Sequence, residues 1–262
     1  MNGDEMKKKA SKFVTFLYVA IFLFSAFSLA KYLYTYYETS KSLKEVQDIY
    51  QATLSTIEDQ PVNQEEETQA PSTIRPQFQD LLAMNRQIVG WISVDGTKLN
   101  NPVLQADNND FYLNHNFRDE ESRAGSVFMD YRNNIVSMSQ NTVLYGHAMN
   151  NNTMFGSLKN YLKQDYANDH PIIYLDTLYE GYDIEVFAAY ETTIDFYYIE
   201  TDFTSDGAYK QFLEEIQKRS SIQMDVAISP GDKILTLSTC KDSVMSDEHR
   251  FVVQGKLVKR GE

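Results

Sequence analysis

Three side chains in this sequence have the chemistry for nucleophilic catalysis, and each stands at the edge of an apolar run. Cys240, the only cysteine among 262 residues, ends Ile234-Leu235-Thr236-Leu237-Ser238-Thr239-Cys240. Arg250, ten residues on, opens Phe251-Val252-Val253, and His147 sits just past Thr142-Val143-Leu144-Tyr145-Gly146. A free thiol is only a few per cent thiolate at neutral pH, and the thiolate is the nucleophile, so the cysteine needs a basic or cationic neighbour. His147 suits that role, forming a thiolate–imidazolium pair or protonating a departing amine. Arg250 stays cationic and offers a fork of donors to an oxyanion or a substrate carbonyl. Taken singly, each has a plainer reading: a small buried cysteine, a loop histidine, a surface charge. Only neighbouring strands would make one site of them. His115, His170 and His249 lie in polar stretches, and His249, next to Arg250, is the competing imidazole. No histidine pair stands at metal-ligand spacing near the cysteine, so zinc is not expected. Asp107-Asn108-Asn109-Asp110 lacks the glycine and closing glutamate of a calcium loop and reads as a turn. No cofactor and no metal are expected.

The elements that must position these residues follow from pattern. Ile88–Val94, Ser126–Asp130, Thr142–Tyr145, Ile172–Asp176, Ile184–Thr193, Lys233–Cys240 and Arg250–Lys259 read as strands, and Asp95-Gly96 as a turn. Phe78–Arg86, Met154–Leu162 and Ala208–Arg219 read as helices; in the last, Tyr209, Phe212, Leu213 and Ile216 fall on one face. Many short strands and few helices predict a mostly β domain over 76–262, a barrel or sandwich with helical inserts.

The segment before it has a different character. Phe13 to Ala30 carries no charge, and the tract extends to about Leu33 past Lys31, long enough to cross a membrane. Lys7, Lys8, Lys9 and Lys12 precede it, which sets the N-terminus in the cytoplasm, and Tyr32, Tyr34, Tyr36 and Tyr37 follow as an aromatic belt. A cleaved signal peptide is the rival reading, with small residues at Ser28-Leu29-Ala30, although the apolar tract exceeds the usual length. The expected organisation is a cytoplasmic N-terminus over 1–12, a transmembrane anchor over 13–33, a helical stalk and linker over 34–75 and the catalytic domain over 76–262. Leu43, Val46, Tyr50, Leu54 and Ile57 recur at helical spacing, as in a stalk or a packing face for a neighbour, and residues 59–76 are linker-like. Residues 1–30 hold four of the 24 basic and two of the 37 acidic residues, so the remainder carries a net charge near −15. Such a domain is a poor partner for nucleic acid or anionic lipid. One cysteine allows no internal disulfide.

Thr236-Leu237-Ser238-Thr239-Cys240 resembles the TLxTC signature of sortases, the membrane-anchored transpeptidases of Gram-positive bacteria. The serine within it and the arginine ten residues on are similar to class B sortases in particular. So are Ile88-Val89-Gly90-Trp91-Ile92, Asn101-Pro102-Val103-Leu104-Gln105, Tyr112-Leu113-Asn114, Gly125 through Asn133, and Asn141 through His147. The resemblance spans nearly all of residues 78–260. It implies a closed β-barrel of about eight strands with N-terminal helices and a helix between the sixth and seventh strands, which Ala208–Arg219 matches. It further implies that Cys240 attacks the Thr–X bond of a C-terminal sorting signal, Asn-Pro-x-Thr-x rather than Leu-Pro-x-Thr-Gly. The resulting thioacyl-enzyme is released by an amine of a peptidoglycan precursor (lipid II), or by a pilin lysine in pilus-building members. His147 would be the general acid/base and Arg250 the substrate and oxyanion stabiliser. Asn109, Leu113, Tyr145, Tyr198, Ile199 and Ser238 resemble substrate-groove residues, though each also has a packing or capping reading. Asp242 would be a supporting acid, while Lys241 departs from relatives with an acid there. The alternatives are a cysteine protease, since water discharges the same thioester, and a non-catalytic membrane-tethered scaffold with a buried, inert Cys240.

Overall fold

The computed structural model describes residues 3–58, 73–193, 195–240 and 249–261; Lys241, Asp242 and residues 59–72 of the linker lie outside the described residues. Two compact units are formed, Met1–Lys44 and Glu45–Glu262. Helix α1, Gly3–Glu58, carries the apolar tract with Phe13, Phe16, Phe22 and Phe24 exposed, and is long and apolar enough to cross a membrane.

In the second unit eight strands close a barrel: β1 Ile88–Ser93, β2 Asn100–Leu104, β3 Val127–Met129, β4 Asn141–His147, β5 Ile172–Thr177, β6 Gly181–Thr192, β7 Ile234–Cys240 and β8 Arg250–Lys259. Their order around it is β1-β2-β3-β4-β7-β8-β6-β5. The β2–β3 and β4–β7 pairs are parallel and the others antiparallel. Closure leaves no free sheet edge. It also explains why β4 and β7 read as apolar runs: from Ile234 to Thr239 every residue of β7 is buried. Three polar residues inside are matched to Asn141 and to one another. Thr236 Oγ1 donates to Asn141 Oδ1 (2.6 Å) and accepts from Gln254 Nε2 (2.8 Å), and the Tyr190 hydroxyl donates to Gln254 Oε1 (3.0 Å).

Helix α4, Asp206–Arg219, lies between β6 and β7 and makes the parallel β4–β7 pairing reachable. Ser205 caps it, accepting from the Ala208 N–H (3.2 Å), with Asp206 in its first turn and Lys218 and Arg219 in its last, the signs the helix dipole favours. Its buried residues are Tyr209, Phe212, Leu213 and Ile216, the face expected from the sequence.

Three local expectations need correction. His147 lies inside β4 rather than past it, because β4 stays paired to β7 through its last residue. The helix expected over Met154–Leu162 shrinks to a 3₁₀ turn, Leu158–Leu162, followed by α3, Gln164–Asp169. Asn152 and Met154 have positive φ (63° and 49°), which halts a right-handed helix, and the apolar spacing there serves loop burial of Phe155 and Leu158. At the domain entry, Phe78–Arg86 resolves into a 3₁₀ turn, Pro76–Phe78, and α2, Gln79–Met84.

Two of the periodic residues near the end of α1 are core residues. Val46 and Tyr50 are buried in one cluster with Phe78, Leu81 and Trp91. The Tyr50 ring stacks on Trp91 at 4.2 Å, and its hydroxyl donates to Asp176 Oδ2 (3.0 Å). Tyr50→Ala removes the stack and leaves Asp176 one donor short. Its expected cost is about 3–5 kcal/mol, which at about 2–4 °C per kcal/mol lowers Tm by roughly 6–20 °C. A thermal melt showing a drop under 3 °C would contradict a cooperative role for this segment.

Candidate active site

The β4–β7 ladder pairs Tyr145 with Ser238, Gly146 with Thr239 and His147 with Cys240, so imidazole- and thiol-bearing residues end adjacent parallel strands. Across the other edge of β7, Ser238 pairs with Val252 of β8. Carrying that antiparallel register two residues further sets Arg250 opposite Cys240. The strands stay close there: the Phe251 N–H donates to Thr239 Oγ1 (2.9 Å). His147 and Cys240, far apart in sequence, thus stand side by side on neighbouring strands, and Arg250 opens the strand on the other side of β7. His249, the competing imidazole, faces Glu191 on β6 instead (Nδ1–Oε1 2.9 Å).

His147 is half-buried, and its Nε2 lies 2.8 Å from the Leu113 carbonyl oxygen. A carbonyl only accepts, so Nε2 carries a hydrogen and Nδ1 is the basic nitrogen of the neutral ring. Leu113 therefore enters through its backbone, from the 3₁₀ turn Phe111–Leu113. That carbonyl is held in place by a close approach of chain. Gly125 has φ +56°, and a Cβ there would stand 2.5 Å from the Tyr112 carbonyl oxygen and 2.6 Å from that of Leu113.

Asn109, Tyr145, Tyr198, Ile199 and Ser238 form one connected wall beside this point. The Ser238 and Tyr198 hydroxyls are hydrogen-bonded at 2.8 Å. Tyr145 donates its hydroxyl to Asp130 Oδ2 (2.9 Å), and Asn109 Nδ2 donates to the same oxygen (3.0 Å). Arg132 grips Asp130 with Nε on Oδ1 and Nη2 on Oδ2, both 2.8 Å, and the same Nη2 reaches the Ile199 carbonyl oxygen (2.8 Å). The segment bearing Tyr198 and Ile199 is also stapled to the start of β4. Asn141 Nδ2 donates to the carbonyls of Tyr198 (3.2 Å) and Glu200 (2.7 Å), and the Asn141 N–H donates to that of Thr201 (3.0 Å). Asp130, Arg132 and Asn141 drew no role from the sequence. The available signal was a charged pair, Asp-x-Arg, at the very end of an apolar strand, where a solvated turn would need no such pairing.

Desolvation pushes the Asp130 carboxyl upward, but the bonds from the Arg132 side chain and N–H and from Tyr145 outweigh it, and the group is held below its ordinary range. Tyr145 is pushed well above its ordinary value, first by burial and then by the Asp130 charge and hydrogen bond, so it remains a neutral donor.

Comparison with known proteins agrees with this architecture. A family model described as a sortase domain matches residues 92–258. Sortase B of Staphylococcus aureus is 47% identical over 186 residues, covering 71% of this chain and 76% of that protein. Sortase B of Listeria monocytogenes is 34% identical over 256 residues, covering 98% of this chain and all of that protein. A solved S. aureus sortase B–substrate complex superposes with TM-score 0.77 at 41% identity, covering 85% of this chain and 97% of the other. With the family model matching most of the domain, both relatives covered over more than two thirds of their length and the barrel shared with the solved complex, this chain belongs to the sortase family, in class B, and is a cysteine transpeptidase.

Proposed function

We propose that this enzyme cleaves an Asn-Pro-x-Thr-x sorting signal after threonine and joins the protein to a cell-wall amine, with Cys240 as nucleophile, His147 as acid/base and Arg250 as oxyanion stabiliser. The observation that carries the reading is the pairing of His147 with Cys240 at the ends of β4 and β7. In acylation the Cys240 thiolate attacks the threonine carbonyl carbon, and the charge gathering on oxygen meets the Arg250 guanidinium. As the adduct collapses the C–N bond breaks, and His147 gives its Nδ1 proton to the leaving amine. The acceptor amine then attacks the thioester, His147 takes its proton, and cleavage of the C–S bond restores the thiolate. The Leu113 carbonyl, by holding Nε2–H, keeps Nδ1 available in both steps.

The acceptor we assign is a peptidoglycan-precursor amine. The apolar tract of α1 would be the membrane anchor, with the N-terminus in the cytoplasm because of the lysines before it. Full-length enzyme in detergent micelles, given quenched Asn-Pro-Gln-Thr-Asn or Leu-Pro-Glu-Thr-Gly peptides with and without triglycine, tests the reaction. Mass spectrometry is expected to find cleavage of the first peptide after threonine and triglycine joined to the new end. Hydrolysis alone, at a rate indifferent to the amine, would sink transpeptidation to such acceptors; preference for the second peptide would sink the assigned signal.

Gly125→Ala tests the positioning of His147. The added methyl must displace the Tyr112 and Leu113 carbonyls, and Leu113 carries the His147 bond with it. A misplacement of about 1 Å at a catalytic group costs on the order of 10²-fold, so kcat/KM is expected to fall by about that factor. Retention of full kcat/KM would show that the carbonyl does not govern the imidazole.

A further inference from the structure

The wall beside the Cys–His pair is organised around one fully buried carboxylate. Asp130 has no exposed surface, and its two oxygens receive five hydrogen bonds. Three come from Arg132, two through the side chain and one from its N–H (3.0 Å), one from Asn109 and one from Tyr145. A carboxylate has about four lone-pair sites, so this one is filled. Arg132 also donates Nη1 to the Tyr197 hydroxyl (2.9 Å) and Nη2 to the Ile199 carbonyl. One ion pair therefore touches four stretches of chain: the loop before the Phe111–Leu113 turn, the end of β3, the middle of β4 and the segment after β6.

We propose that Asp130 is a positioning residue for recognition of the sorting signal: it sets the hydrogen-bond polarity of Asn109 and Tyr145 and, through Arg132, locks the segment carrying Tyr198 and Ile199 against the barrel. Buried ion pairs add little net stability compared with apolar packing of equal volume, so what this one supplies is geometry. The amide of Asn109 is fixed at both ends, since its Oδ1 accepts from the Tyr131 N–H (3.0 Å) while Nδ2 donates to Asp130. One Nδ2 hydrogen remains for a peptide carbonyl. Tyr145 spends its only hydrogen on Asp130, which leaves its oxygen lone pairs for a peptide N–H. In Asp130→Asn one carboxylate oxygen becomes an NH₂ donor facing donors. At the Oδ2 position that NH₂ meets Tyr145 and Asn109, which must turn and reverse the polarity presented to the peptide; at the Oδ1 position it meets the Arg132 N–H and Nε, and the grip that holds the Ile199 segment is lost. The inference rests on the groove reading given above for Asn109, Tyr145, Tyr198 and Ile199.

The test uses the full-length enzyme in micelles, the Asn-Pro-Gln-Thr-Asn peptide with triglycine, and iodoacetamide as a small probe of the Cys240 thiol. Asp130→Asn is expected to raise KM at least tenfold with kcat changed less than threefold and the alkylation rate within twofold of wild type. In the Asn109→Ala, Tyr145→Phe background it should raise KM by a smaller factor than in the wild type, because two of the groups it acts through are gone and only the route through Arg132 is left. Should Asp130→Asn lose its cooperative melt, Arg132→Lys, which keeps the charge and loses the fork, carries the test with an expected KM rise of at least fivefold. The proposal is overturned by an unchanged KM in the folded variant, or by effects that multiply in the combined variant. If the Asn109 and Tyr145 substitutions themselves leave KM unchanged, the groove reading fails and takes this proposal with it. If they raise KM while substitution at 130 or 132 does not, the positioning role alone is wrong.

Discussion

Cys240→Ala should abolish peptide cleavage and amine transfer, a loss on the order of 10⁴-fold or more, while the protein melts within a few degrees of wild type. The size follows from the chemistry, since no other nucleophile replaces the thiolate and oxyanion stabilisation without it has nothing to act on. The retained fold follows from the position. Cys240 is the last residue of β7, and the pairing there belongs to the backbone, so His147 keeps its partner strand whatever side chain stands at 240. The residues that anchor this end, Ser238 to Tyr198 and Thr239 to Phe251, are untouched. A substitution of this kind costs about 1 kcal/mol, a Tm shift of about 2–4 °C. Peptide kinetics and a melt on the same sample decide the matter. Turnover surviving in the alanine variant would remove Cys240 from the mechanism, and joint loss of turnover and fold would assign it a packing role.

Arg250→Lys is expected to lower kcat by about 10²–10³-fold, with a smaller change in KM. Losing one well-aimed oxyanion donor costs about that much elsewhere. Lysine keeps the positive charge, so the experiment separates charge from geometry. A guanidinium is a planar fork with fixed donors; an ammonium is a mobile point charge on a flexible stem. The site supplies a reason for the fork to be held. Arg250 starts β8, pairs with Thr192 of β6 and donates Nη1 to the His249 carbonyl oxygen (2.9 Å), while His249 is itself fixed by Glu191. A lysine variant with kcat within threefold of wild type would show that the positive charge suffices and that the fork has no part in the transition state.

The two substitutions also distinguish steps. Cys240→Ala should leave no acyl-enzyme in mass spectra of quenched reactions. Arg250→Lys slows the formation and the discharge of that species alike, because both pass through an oxyanion at the same carbonyl carbon.

Much of the enzyme is written locally. The thiol at the end of an apolar strand, the imidazole and guanidinium at strand ends, the Tyr209–Ile216 face of α4 and the membrane-length apolar tract are all patterns within about twenty residues, and periodicity or side-chain chemistry exposes them. Strands β5, β7 and β8 were legible to within a residue for that reason. Where the backbone takes positive φ, local pattern misled, as at Met154–Leu162, whose apolar spacing belongs to a loop and a 3₁₀ turn. The meeting of His147 with Cys240, 93 residues apart, was decided by the barrel. It required β7 to return beside β4 in parallel after the α4 crossover, in one register out of many that the same apolar runs would permit. Tertiary structure alone also chose Asp130 as the hub of the wall. A carboxylate at the end of a strand looks solvated in the sequence, and only the folded chain buries it and gives it Arg132, Asn109 and Tyr145 as partners.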